Sequence, residues 1–532
     1  MAVKLDATDL LSKGILALER SEFKLASTFL QESLSLFETL EDRPGIAHAL
    51  YRLGFVARFL EGPAQAERLV KKSLAIFREL NDKKGIAEAT GKLGLVASDR
   101  GDYSQAKTLL ERSVTLFREL GDLENTAWML QDLGNLIRDQ NVVGQAIAIL
   151  EKSLQLFRSL DSQRGIAWAA HNLGIAKKDN GDYVQAKKLL EESVGIFRAH
   201  QNRWGSAWSK HNLALIAQQQ GEVTKAHSFL QENLSAFKDL NDLRGLAWSL
   251  HELGTLAENQ AKYHLAEEFL SDGLQAFQKL NDKRGIAWSL HDLGTVARFR
   301  GEYTEAESLY KKSLELFRSL GDTRSSAWVL RNMGVLARYQ GDFENSDALY
   351  QEALPLFQQV GDKRGTATTL RNQATLAHQK NDLARATALN EASCSLFEQV
   401  GDMRGVAWAS RSLGLVLFNL DNERAEELLQ RSLLIFYKLS DRRMVAASLQ
   451  SLGSVCSLNK DYVRATRLFA AAQALRSKFG APLPPTDFKA FRQQISVLQN
   501  ILSEESFTIH WEAGETMTDD FVIAYALSGK DT

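Results

Sequence analysis

Cysteine is almost missing from this chain of 532 residues. The two present, Cys394 and Cys456, stand far apart and in no metal or redox spacing, which excludes a disulfide framework and fits a reducing, cytoplasmic setting. Proline is scarce as well: of six, three fall at Pro482, Pro484 and Pro485, so the one strong break in an otherwise helical text is expected there. Pro355 falls inside a helical stretch and predicts a local kink. No uncharged apolar run reaches about 18 residues, the minimum for a spanning helix, and the first residues enter an amphipathic pattern without a secretion signal. A soluble protein without a membrane partner is expected. Charge of one sign is not in excess, with 64 Lys and Arg against 66 Asp and Glu, which argues against nucleic acid as a partner. Phosphate-binding Gly-x-x-x-x-Gly-Lys-Ser/Thr, Gly-x-Ser-x-Gly and His-Glu-x-x-His runs are all missing. No catalytic residue, cofactor or metal site is therefore assigned, and the chain is read as no enzyme. The His251-Glu252 and His291-Asp292 pairs are set aside as metal ligands, because equivalent side chains on neighbouring helices stand too far apart to share an ion.

What is there is a period. Arg284-Gly285-Ile286-Ala287-Trp288-Ser289-Leu290-His291-Asp292-Leu293-Gly294 returns in close copies every 40 residues, with tryptophan at 128, 168, 208, 248, 288, 328 and 408. Each period reads as two helices. Ile286, Leu290, Leu293, Gly294 and Ala297 form an apolar stripe on a first helix near 284–299, and Ala306, Leu309, Tyr310, Ser313, Leu314, Phe317 and Leu320 form another over 303–320. Gly301 and Gly321 end the two helices, and acidic residues open the next, with capping boxes at Asp102/Gln105 and Asp182/Gln185. Units begin near 3, 43, 83 and so on to 442, about twelve helix pairs, with one residue missing around 421–423. Past Pro485 the period stops, and three helices near 486–501, 503–513 and 517–527 are expected to cap the array with a polar outer face.

The combination of Leu293-Gly294, Ala297, Gly301-Glu302-Tyr303, Ala306, Leu309-Tyr310 and Phe317 resembles the tetratricopeptide repeat (TPR), in a 40-residue form, over roughly residues 3–480. The resemblance implies an all-α fold, an α-α superhelix (TPR solenoid) of about twelve helix-turn-helix repeats over 1–480, with a C-terminal helical capping region over 481–532. The stretch Leu468–Arg476 with Gly480-Ala481-Pro482-Leu483-Pro484-Pro485, Trp511 and Gly514 is similar to the end of bacterial signal-transduction ATPases and LuxR-type (MalT-like) regulators, where such an array follows a nucleotide-binding module.

Trp288, His291, Thr295, Arg298 and Phe299 follow a second stripe of the first helix, away from Leu290 and Gly294. In tetratricopeptide proteins the residues at these offsets line the concave groove that holds peptides and partner helices. The resemblance thus assigns to a partner-binding groove Trp128, Trp168, Trp208, Trp248, Trp288, Trp328 and Trp408. It adds His171, His211, His251 and His291, then Arg331, Arg371 and Arg411, with Arg298 and Arg338. Aromatic and guanidinium groups together dominate binding hot spots, and a protein or peptide with acidic residues would fit. Three explanations of the tryptophans stand side by side: packing between repeats, packing combined with ligand contact, and a small-molecule pocket. Two functions also stand: an interaction scaffold, and the sensor arm of a signalling or transcription-control system whose ATPase or DNA-binding part is elsewhere.

Overall fold

The computed structural model describes residues 2–20, 22–140, 142–220, 222–260, 262–418, 420–439, 441–479 and 485–528. Among these it contains helices and turns only. Two compact units divide the chain: Met1–Ile216 with Ser235–Leu240, and Ala217–Leu234 with Asn241–Thr532.

The first unit holds α1 (Ala2–Glu19), α2 (Phe23–Thr39), α3 (Arg43–Leu60), α4 (Pro63–Glu79), α5 (Lys83–Asp99), α6 (Tyr103–Glu119), α7 (Leu123–Asp139), α8 (Val143–Ser159), α9 (Gln163–Asp179) and α10 (Tyr183–Ala199). The division runs through α11 (Arg203–Gln219) and α12 (Val223–Asp239). The repeats of the second unit are α13 (Leu243–Asn259), α14 (Tyr263–Lys279), α15 (Lys283–Arg300), α16 (Tyr303–Ser319), α17 (Thr323–Tyr339), α18 (Phe343–Gln359), α19 (Lys363–Gln379), α20 (Leu383–Gln399), α21 (Met403–Leu417), α22 (Asn422–Lys438), α23 (Arg442–Leu458) and α24 (Tyr462–Phe479). Beyond residue 484 follow α25 (Pro485–Ile501), α26 (Glu504–Glu515) and α27 (Asp519–Ser528). The all-α array of helix pairs expected from the period is what forms, with helix ends within a residue or two of those read from the pattern. The one-residue deletion falls between α21 and α22, and α18 runs unbroken through Pro355.

The repeated stretch explains why the helices pair as they do. Arg284 reaches the carboxylate of Asp322, the residue that opens the next repeat, and the corresponding Arg324 and Arg364 reach Asp362 and Asp402 at 2.7 and 2.8 Å. Gly285 leaves room for the Phe277 ring of the preceding repeat, which a Cβ would strike. Ala287 offers its carbonyl to the hydroxyl of Ser313 at 2.8 Å, and the same bond recurs from Ser33, Ser73, Ser113, Ser153 and Ser393. Trp288 sets its ring edge-on to Phe317. Together these residues tie α15 to α14, to α16 and to the residue that opens the next repeat, so that helix is covered on several sides.

The expected core stripe needs correction for the same reason. Ile286, Leu290 and Leu293 are only half-buried, whereas Ala287, Ser289, Gly294 and Ala297 are buried. Small residues occupy the points where helices approach most closely, and the larger ones straddle the seams. The Asp102 and Asp182 side chains cap α6 and α10 by accepting from the backbone N–H of Gln105 and Gln185, the expected first half of each capping box.

At the C-terminal end α26 lies on α24 through Gly514, where any Cβ would run into the carbonyl oxygen of Arg467. Val522, Ile523, Tyr525 and Ala526 of α27 are buried, and Arg464 donates to the Ala526 carbonyl at 2.8 Å. The break at Gly480–Pro484 lies outside the described residues.

Candidate functional site

All seven in-register tryptophans are half-buried. Each packs on the phenylalanine of its own repeat's second helix, with ring centroids 4.8 Å apart for Trp128–Phe157 and Trp168–Phe197 and 5.9 Å for Trp408–Phe436. These phenylalanines are buried, and Phe157, Phe197, Phe277 and Phe357 press on the glycine of the following repeat. Packing therefore accounts for one side of every indole. Four of the seven also carry a histidine one turn on, at 5.6 Å for Trp168–His171 and 5.4 Å for Trp288–His291.

In the first unit the face carries Trp128, Trp168 and Trp208, with Trp204, which the period had not singled out, 5.6 Å from Trp168 and 6.2 Å from Trp208. His171 is buried and its Nδ1 meets the Ser209 hydroxyl at 2.9 Å. Burial, with the nearby Arg138, Lys178 and His211, pushes its pKa down to about 3, so this ring stays neutral through the physiological range. Its Nδ1 is thus engaged within the fold. His211 is equally buried.

The second unit joins three consecutive repeats by a chain of polar contacts. His251 Nε2 lies 3.2 Å from one carboxylate oxygen of Asp292, His291 Nδ1 lies 2.7 Å from the other, and Asn332 Nδ2 lies 2.5 Å from His291 Nε2. Burial favours protonation of Asp292, but the His291 hydrogen bond and the charges of both histidines prevail, and its pKa is lowered. Thr295 and the buried Tyr310 share a hydrogen bond of 3.0 Å. Neither Asp292 nor Asn332 was legible as a site residue, because their partners stand about 40 positions away. The useful signal was there: in the His-bearing run, His171 and His211 are followed by asparagine, but His251 and His291 by an acid.

Past His291 the face turns basic. The Arg331 guanidinium lies 5.1 Å from the Trp328 ring, and that of Arg371 lies 5.0 Å from Trp408. Among the described residues neither has a carboxylate within ion-pair distance. Burial, with like charges nearby, brings the pKa of each down to about 10. Arg298 stacks on Phe299 at 4.2 Å and Arg338 on Tyr339 at 4.8 Å, and Arg411 continues the row on α21. This is the inner side of the unit: Arg443, four repeats on, comes to 5.9 Å from the Phe299 ring, and Arg404 donates to the Gln219 carbonyl at 3.0 Å. Glu258 lies in the same surroundings. Burial and the neighbouring Asp292 raise its pKa to about 8 against the pull of Arg298 and Arg443, so it is largely protonated at neutral pH.

Among the described residues no three potential ligands gather as a metal site would require, and no helix is long and apolar enough to cross a membrane.

Among solved structures, a Rap protein complexed with Competence and Sporulation Factor is similar to 67% of this chain and 99% of its own, with a TM-score of 0.52 and 10% identity. The apo form of the quorum sensor NprR from B. thuringiensis is similar over 65% of this chain and 99% of its own (TM-score 0.46, 15% identity). BtubC from P. vanneervenii is similar over 43% and 93% (TM-score 0.34, 19% identity). No curated protein matches. The Tetratricopeptide repeat family pattern matches residues 6–79, 137–199, 245–319, 285–356 and 325–399, together more than half of the chain. The chain belongs to the tetratricopeptide repeat family.

Proposed function

We propose that this chain is a non-enzymatic interaction scaffold that takes a protein or peptide segment on the first-helix face of its repeats. In the second unit the segment would be one with acidic residues. The observation that carries this reading is the row Arg298, Arg331, Arg338 and Arg371. Held against aromatic rings and partly stripped of water, these guanidiniums form no ion pair among the described residues, and the Glu258 carboxyl near Arg298 is largely protonated. Unneutralised buried charge is costly, and an incoming carboxylate relieves it while making short, charge-assisted hydrogen bonds. Trp248, Trp288, Trp328 and Trp408 supply the apolar side of such a contact, and Trp128, Trp168 and Trp208 supply it in the first unit. His251 and His291, locked to Asp292, serve to hold the helices that present the face. A regulatory arm that responds to a bound signal is the second reading, favoured by the likeness of fold to the Rap protein held with Competence and Sporulation Factor.

The test is binding of the full chain to a peptide array in which Asp- and Glu-containing sequences are paired with Asn- and Gln-substituted versions. Acid-dependent binding that weakens with salt and is lost in a folded Arg331→Gln, Arg371→Gln variant supports the proposal. Equal binding by the variant rejects it.

A further inference from the structure

We propose that the first unit contains a pocket for a small zwitterion, a compound that presents both a free ammonium and a free carboxylate beside an apolar body, held between Lys92 and Asp132. The pocket is a cavity of 660 Å³ on the first-helix side of α3, α5, α7 and α9, a size typical of small-molecule sites. Its aromatic walls are Tyr51 and Phe55 on α3, with Trp128 on α7 and Trp168 on α9.

The charges in it are the reason for the assignment. Arg58 and Asp99 neutralise each other through two bonds of 2.6 and 2.9 Å, and Arg138 bonds Asp139 at 3.0 Å. Lys92 and Asp132 are left over. The Lys92 ammonium lies 4.2 Å from the Phe55 ring centroid and 5.9 Å from that of Tyr51, in no ion pair with a described residue. Asp132, one repeat on, also lacks an ion-pair partner among the described residues. Burial lowers Lys92 to about 8 and raises Asp132, each opposed by the charge of the other, so the two share a field without touching. Arg52 and Glu88 add one further charge of each sign nearby. The cluster thus offers charges of both signs rather than a field of one sign, with Arg164 at the Trp128 ring as a further cation of the lining, which suits a ligand carrying both.

A second observation points the same way. Gln131 is only 6% exposed, yet its Oε1 has no hydrogen-bond partner among the described residues. Asn135 Oδ1 and Arg138 Nη1 on the same helix are buried and unpartnered too. Buried polar atoms without partners are uncommon, and three on consecutive turns of α7 leave room for a ligand rich in donors and acceptors. Free amino acids and short peptides with free ends both have this chemistry.

The full chain is offered L-tryptophan and L-phenylalanine in one arm, and in another a random tripeptide library with free termini, beside the same library N-acetylated and C-amidated. Bound mass is read by native mass spectrometry. Retention of free-ended compounds, with blocked ones weaker by roughly tenfold or more, is the expected result. Retention in the first arm alone identifies amino acids, and in the second alone peptides. Lys92→Met and Asp132→Asn should each weaken binding by a similar factor, and Lys311→Gln, at an exposed position of the second unit, should leave it unchanged. Retention of neither class, or equal retention of the blocked library by wild type, overturns the proposal, and neither result depends on how a variant folds.

Discussion

Asn390 is a residue whose chemistry disagrees with its place. It is fully buried on α20, at the position where Leu30, Leu110, Leu150, Leu190 and Leu270 stand in other repeats, and both its amide atoms lack hydrogen-bond partners among the described residues. Leucine has nearly the same shape and no polar atoms to satisfy. Asn390→Leu is expected to stabilise the protein by about 1–3 kcal/mol, read as a higher denaturation midpoint. Glu258 poses the opposite question, since its acid is protonated in the folded chain far above its ordinary range. With a folded pKa of about 8 against 4.5, the native state binds the extra proton between those values. Its contribution to stability is therefore full below about pH 4.5 and is lost as pH rises toward 8. Glu258→Gln, which keeps the neutral shape, should flatten that part of the curve. Thermal melts of both proteins across this range check it, and parallel curves would refute it.

At the scale of the element, the period exposed helix ends, turns and the deletion near Asp421, because these depend on neighbours in sequence. The turns also carry a usable variation. Gly121, Gly321, Gly361 and Gly401 adopt positive φ after second helices, but Glu41 holds the same place with φ 51°. A side chain in that region is strained, so Glu41→Gly should raise the denaturation midpoint by the equivalent of up to about 1 kcal/mol. At the far end, the fit of α26 on α24 depends on Gly514. Gly514→Val should free α26, seen as faster amide exchange in α24 and α26 with little change in α13–α17. What the pattern missed lies on the far side of the same helices. Periodicity told the two faces of a first helix apart, but not that Trp288 leans on Phe317 or that His291 is buried, because both follow from helices packing from several directions at once.

On the scale of the whole molecule, the two compact units carry different chemistry on equivalent helix positions. One holds Lys92 and Asp132 among aromatic rings, the other a run of arginines beside a His–Asp–His–Asn chain. A repeat array allows this because each repeat's stability depends on its own pair and its neighbours, so an inner position can vary without loss of fold. The sequence alone determined the all-α repeat architecture, the unit length, the helix boundaries and the three added helices at the end, since all of these rest on local propensity and on a pattern copied many times. The tertiary structure decided which side chains meet. His251 reaches Asp292, Arg443 reaches Phe299, and Lys92 and Asp132 confront each other only after helices from different repeats are brought side by side. Such pairs occur once and repeat nowhere, so no period could reveal them.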